Sequence, residues 1–116
     1  MNDNILIETA IAFAAKIMKL QEQLVKEKNE GVISAKILGC AAGIGAGISR
    51  ATYAQSRADY MAKLRAALED AAECEYWVKL LHSAEYIDAE THGELLEECV
   101  DVKRRIIAAI NAAGEK

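Results

Sequence analysis

Apolar residues return every three to four positions along almost the whole chain, and no proline interrupts them. A period near 3.6 places those residues on one face of each segment, which is the pattern of helices packed on a shared core. Alternation of β-branched and aromatic residues, the signature of strands, is nowhere sustained. Alanine, leucine, glutamate and lysine are abundant, and these side chains lose little entropy in a helix.

The rhythm breaks at three places, so the 116 residues read as one domain of four helices, expected at 3–29, 34–52, 56–84 and 88–113. The first carries Ile7, Ile11, Ala14, Met18 and Leu24 as its seam and stops before Gly31, expected to take a positive φ past the helix end. Ser34 and Ser56 are the expected N-caps of the second and third helices, with Asp59 where a capping-box acid sits, and Asp88 caps the fourth. The third stripe is Tyr60, Leu64, Ala67, Ala71, Cys74, Val78 and Leu81. The fourth is Leu96, Cys99, Val102, Ile106 and Ile110. Short connections make consecutive helices antiparallel neighbours, so the fold class is all-α, an up-down-up-down four-helix bundle. Further apolar residues fall beside these seams: Ile5, Phe13, Ile17, Tyr76, Trp77, Leu80, Leu95 and Ile107. The excess implies a second buried surface, most simply supplied by self-association, with Tyr76 and Trp77 as candidate interface or core aromatics.

Four of the seven glycines lie in "GCAAGIGAGISRATYAQS", from Gly39 onward. A phosphate loop would need GxxxxGK[ST] after a strand, and no Lys-Ser or Lys-Thr follows these glycines. A dinucleotide fingerprint starting at Gly43 would want a small residue where Ile48 stands. What remains is spacing: Gly39, Gly43 and Gly47 are four apart and line one helical face. Each mid-helix glycine costs about 0.5–1 kcal/mol relative to alanine, which close packing of another backbone offsets.

Catalytic and cofactor chemistry finds no support. Two histidines, no E-x-x-H pair and no nucleophile triad argue against a di-iron bundle or a hydrolase, so no catalytic residue, metal or cofactor is expected. Cys74 and Cys99 fall at a similar level of the last helical hairpin, yet further zinc ligands are lacking there, and small buried cysteines are the better account. Three scattered cysteines do not form a disulfide framework. The start has no basic n-region, and the longest uncharged run, Ile37 to Ser49, is shorter than the ~20 residues a span needs. A cytoplasmic protein with reduced thiols and no membrane partner is expected.

From Lys36 onward, "AAGIGAGIS" followed by "SRADYMAKLRAALEDAAECEYWVKLLHSAEYI" resembles a bacterial family first met inside intervening sequences of large-subunit ribosomal RNA genes. Members show an "IxANIAEG"-like phrase, "S-(K/R)-x-(D/E)-(F/Y)", and an aromatic pair before "LL". The last two correspond here to Ser56–Tyr60 and to Tyr76-Trp77 before Leu80-Leu81, and the family's "K-L-x-x-A-L-x-x-A-x-E" run between them corresponds to Lys63–Glu73. The resemblance implies an all-α bundle and a ring-like homo-oligomer, a pentamer in known members, with no established enzymatic activity. A related branch, the accessory proteins of diversity-generating retroelements, pairs with a reverse transcriptase and binds nucleic acid through basic surface. The Asn and Glu of the family phrase are replaced by Gly47 and Arg50, so no role resting on them carries over.

Charge is blocked along the chain, whose net charge is −4. Residues 32–68 hold five Lys or Arg and one acid, Asp59, whereas residues 69–101 hold eleven acids and one base, Lys79. Folded up and down, the chain gathers Arg50, Arg57, Lys63, Arg65, Lys103, Arg104 and Arg105 toward one pole. The macrodipole explains acids first and bases last in the fourth helix, but the third runs the opposite way. Three readings stand: solvated faces with i,i+4 pairs, a basic pole that binds RNA or DNA phosphates, or complementary contacts between subunits or with a charged protein partner. The expected protein is a non-enzymatic homo-oligomeric adaptor touching nucleic acid or a nucleoprotein such as a reverse transcriptase. The alternative is a scaffold for protein contacts alone.

Overall fold

The periodicity resolves into four helices in a computed structural model that describes residues 3–114. They are α1 (Asp3–Lys28), α2 (Val32–Thr52), α3 (Arg57–Ser83) and α4 (Ala89–Gly114), with no strand among the described residues. Contacts between successive helices run in opposite senses. Gly31 and Gly45 face Val25 and Ala10, Gly47 faces Ala67 while the Cys74 thiol donates to the Ile37 carbonyl, and Lys103 reaches Glu75 while Gly114 lies beside Met61. The fold is therefore the expected antiparallel four-helix bundle, 48 × 21 × 19 Å in extent. The three sequential pairs pack extensively, but α1 meets α4 only thinly, leaving the bundle open along that seam.

Burial selects a different row of α1 from the one expected. Leu6, Ala10, Phe13, Ile17 and Leu24 enter the core, whereas Ile11 and Met18 are 59% and 58% exposed. Two apolar rows one residue apart share the same period, and the row holding Phe13 removes more apolar area from water. In α3 and α4 the expected stripes are buried, with Tyr60 and Leu96 only partly covered and Leu95 and Ala109 added.

The α1–α2 turn departs from expectation in chemistry. Gly31 has φ −125°, and Asn29, at φ 54°, supplies the left-handed residue instead. Asparagine tolerates that region better than other non-glycine residues because its short polar side chain bonds locally. Glu30 then caps α2: its carboxylate accepts the N–H groups of Val32, Ile33 and Ser34 at 3.0, 2.9 and 2.8 Å. The Ser34 hydroxyl donates to the Glu30 carbonyl at 3.0 Å, so Ser34 lies inside the first turn and the helix begins two residues earlier than expected. Burial pushes the Glu30 carboxyl up, but the three N–H donors and the Ser34 hydroxyl outweigh it and hold the group below its ordinary 4.5. The other caps are as the sequence implies. Ser56 Oγ accepts the Asp59 N–H at 3.1 Å, and Asp88 Oδ1 accepts the Thr91 N–H at 2.8 Å.

Only part of the glycine face packs closely. A Cβ at Gly47 would lie 3.2 Å from the Cβ of Ala67, and one at Gly43 would come within 2.6 Å of Asp70 Oδ2. Gly39 is exposed, with nothing within 4 Å of its missing Cβ, because its side of α2 has turned away from α3. By length and composition α2 is apolar enough to cross a membrane. Its position between α1 and α3, with Ile37, Ala41, Ile44 and Ile48 in the core, accounts for that apolarity.

Gly39→Ala is expected to raise stability by about 0.5–1 kcal/mol through helix propensity alone. Gly47→Val should lower it by about 1–3 kcal/mol through overpacking on Ala67. Urea denaturation followed by circular dichroism distinguishes the two signs. Glu30→Ala removes the α2 cap and is expected to cost about 1–2 kcal/mol at neutral pH. Because the folded pKa of Glu30 is depressed, its contribution is present above the ordinary 4.5 and fades as pH falls through the folded value. The wild-type and Glu30→Ala melting curves should therefore converge in acid.

Candidate functional site

Arg50 at the end of α2 and Arg57 at the start of α3 share one end of the bundle, and both are exposed. Arg65 lies two turns into α3, also exposed, and Arg104 projects from α4. Among the described residues, Arg57, Arg65 and Arg104 have no ion pair. The other expected cations are engaged. Lys63 bonds Asp59 at 2.6 Å, Arg105 bonds Asp101 at 3.0 Å, and Lys103 pairs with Glu75. The last contact draws Lys103 toward the middle of the bundle, because a helical side chain leans toward its own N-terminus. Arg50 lies near Asp70, whose carboxyl is raised mainly by burial and by the Glu73 charge, with Arg50 pulling the other way. The basic end is thus a sparser set of arginines than the sequence block suggests.

Tyr76 and Trp77 part company. Their rings meet edge to face with centroids 4.9 Å apart, yet Tyr76 is 57% exposed while Trp77 is partly buried against the core. The Trp77 indole N–H donates to Glu73 at 3.0 Å, and the Lys36 ammonium lies 5.7 Å from the centre of its ring. This fixes Trp77 between α2 and α3, with one ring face occupied by a cation.

The three cysteines are buried free thiols. Burial foremost, with nearby carboxylates, pushes Cys40 and Cys99 up to about 12, and burial raises Cys74 as well, so all are held as unreactive thiols. Among the described residues no group of three or more His, Cys, Asp or Glu is placed to hold a metal.

Two features escaped the sequence reading. His82 and His92 stack across the α3–α4 turn, ring centroids 4.0 Å apart at 14°. Their ten-residue separation over a helical turn is a signal visible in hindsight. The second is an exposed apolar face shared by α1 and α2. Ile11, Ala15, Met18 and Val25 run along α1, beside the small exposed row Gly39, Ala42, Ala46 and Ser49 on α2. A shallow groove between the two helices, floored by alanines and Gly45, joins the rows.

With this geometry in view, the model of the 23S rRNA-intervening sequence protein family matches residues 2–108. The chain belongs to that family. A crystal structure of a protein of unknown function from the S23 ribosomal protein family of Bacteroides thetaiotaomicron is similar throughout. It is 39% identical over 96% of this chain and 99% of that one, with a TM-score of 0.92. Among curated proteins, none is significantly similar to this chain. Family membership thus agrees with the four-helix architecture and with the resemblance carried by the Ser56–Tyr60 and Tyr76–Leu81 motifs.

His92 makes stability depend on pH. Burial, then the charges of His82 and Lys79, holds His92 below its ordinary 6.5. A depressed histidine is more easily protonated unfolded than folded, so stability is fullest above 6.5 and declines as pH falls below it. His92→Gln is expected to flatten the decline in urea midpoint between neutral pH and about pH 5, the range in which histidine titrates.

Proposed function

We propose that this family member is a non-catalytic, self-associating adaptor whose copies join through the α1–α2 face and whose arginine-bearing end contacts nucleic-acid phosphates. The observation that carries the first half is the exposed row of Ile11, Met18 and Val25, which are 59%, 58% and 48% exposed on one helix. Large apolar side chains in a continuous row beside a smooth alanine and glycine row are costly to leave in water and suited to close helix packing. A ring, pentameric as the family resemblance implies, would bring several copies of the same end together. Weak phosphate contacts from Arg50, Arg57, Arg65 and Arg104 then add through multivalency. A nucleoprotein, such as a reverse transcriptase with its RNA, fits the same end.

A second reading, a protein scaffold without nucleic acid, is favoured by one observation: Lys63, Lys103 and Arg105 already have acidic partners within the chain. The two readings separate by titration of labelled structured RNA and duplex DNA at low and high salt. The adaptor reading expects steeply salt-dependent binding, weakened about tenfold or more when Arg50, Arg57, Arg65 and Arg104 are all changed to Gln. Absence of binding at low salt leaves the scaffold. Assembly is checked by light scattering. The wild type should have several times the chain mass of 12.6 kDa, and an Ile11→Asp, Met18→Glu double variant should fall to a monomer that keeps its helical circular dichroism.

A further inference from the structure

The thin α1–α4 seam leaves a groove of about 1030 Å³ on the side of the bundle away from α2 and α3. Its walls repeat at helical spacing: Ile5, Ala12 and Lys16 on α1, and Leu96, Val100 and Arg104 on α4, with Phe13 at the base. From Ile5 to Lys16 the α1 wall runs about 16 Å, three turns, which matches the length of a helical peptide of about eleven residues. The rim is acidic. Five carboxylates, those of Glu8, Glu94, Glu97, Glu98 and Asp101, line it against two cations, Lys16 and Arg104. Glu98 is satisfied by Lys16 and Asp101 by Arg105, but among the described residues Glu8, Glu94 and Glu97 have no ion pair.

We infer that this groove is a docking site for a cationic amphipathic helix of a protein partner, its apolar side chains seated between α1 and α4 and its Lys or Arg facing Glu8, Glu94 and Glu97. An apolar floor supplies area and a like-charged rim supplies sign, the combination by which helix-in-groove sites choose a basic partner. The chain's own acid-free helix, α2, cannot fill the role from a second copy. Its outward face offers Val32 as its one large exposed apolar side chain, the rest being alanine, glycine and polar residues. The inference uses neither the α1–α2 face nor Arg50, Arg57 and Arg65; Arg104 alone is shared, since it lines the groove and is also counted with the arginine-bearing end.

The test is fluorescence anisotropy on the full chain, in its natural oligomeric state, with a labelled peptide of about eleven residues. The peptide carries leucines at i, i+3, i+4 and i+7 and lysines elsewhere. Expected are micromolar binding that weakens with salt, little binding of a glutamate-for-lysine peptide, and little binding of a scrambled peptide whose leucines no longer share a face. Hydrogen exchange should slow in 5–16 and 94–104 when the peptide binds. Glu8→Lys with Glu97→Lys, both on exposed positions, should leave the circular dichroism unchanged and raise the peptide Kd about tenfold or more. No binding at low salt, equal binding of the scrambled peptide, or protection in 11–25 instead would overturn the inference. So would a groove already protected without peptide and released in the Ile11→Asp, Met18→Glu variant, since a second copy would then be its occupant.

Discussion

At Gly47 the backbone of α2 approaches α3 so closely that a Cβ would lie 3.2 Å from that of Ala67, and this contact sets the spacing of the central helix pair. Once α2 and α3 are that near, Ile37, Ile44 and Ile48 meet Leu64, Ala71 and Val78 in a dry layer, and Cys74 finds the Ile37 carbonyl. The same approach turns the opposite side of α2 outward. Its small residues there become a smooth exposed row rather than a packed one. Core and candidate interface are two faces of one decision about how α2 is rotated.

Much of this was legible in the sequence, because the absence of proline and the helical period leave few alternatives. Ser56 and Asp88 announce their helix starts through a well-understood hydrogen bond, and the stripes of α3 and α4 are single and unambiguous. Where two physical solutions compete, the sequence underdetermines the outcome. On α1 two apolar rows one residue apart satisfy the same period, and only the packing of Phe13 against the other helices chooses between them. At the first turn a glycine and an asparagine are both able to go left-handed, and the Glu30 cap selects Asn29 by placing its carboxylate over the start of α2. Gly39 shares the spacing of Gly43 and Gly47 but not their surroundings, since a row four residues apart drifts around a helix of 3.6 residues per turn.

The charge blocks illustrate a different limit. Counting residues places bases at one pole and acids at the other, yet long side chains redistribute the charge. Lys103 leans back to Glu75, and Lys16 crosses to Glu98, so ion pairs stitch the acidic half to its neighbours. Among the described residues, the charges left without an ion pair include Arg57, Arg65 and Arg104 on one part of the surface and Glu8, Glu94 and Glu97 along the α1–α4 seam.

The uneven closure of the bundle also bears on how it comes apart. The inner helices α2 and α3 each have two full neighbours, but α1 is held along one side by α2 and only lightly by α4. A helix docked through a single seam opens at lower free energy than one enclosed by two. Helix α4 stands in the same position, held fully by α3 alone, so the molecule is an inner pair, α2 and α3, with an outer strut on each side. Tension along α1 or α4 is expected to peel that helix away first, while α2 and α3 keep their shared layer of isoleucine, leucine and valine.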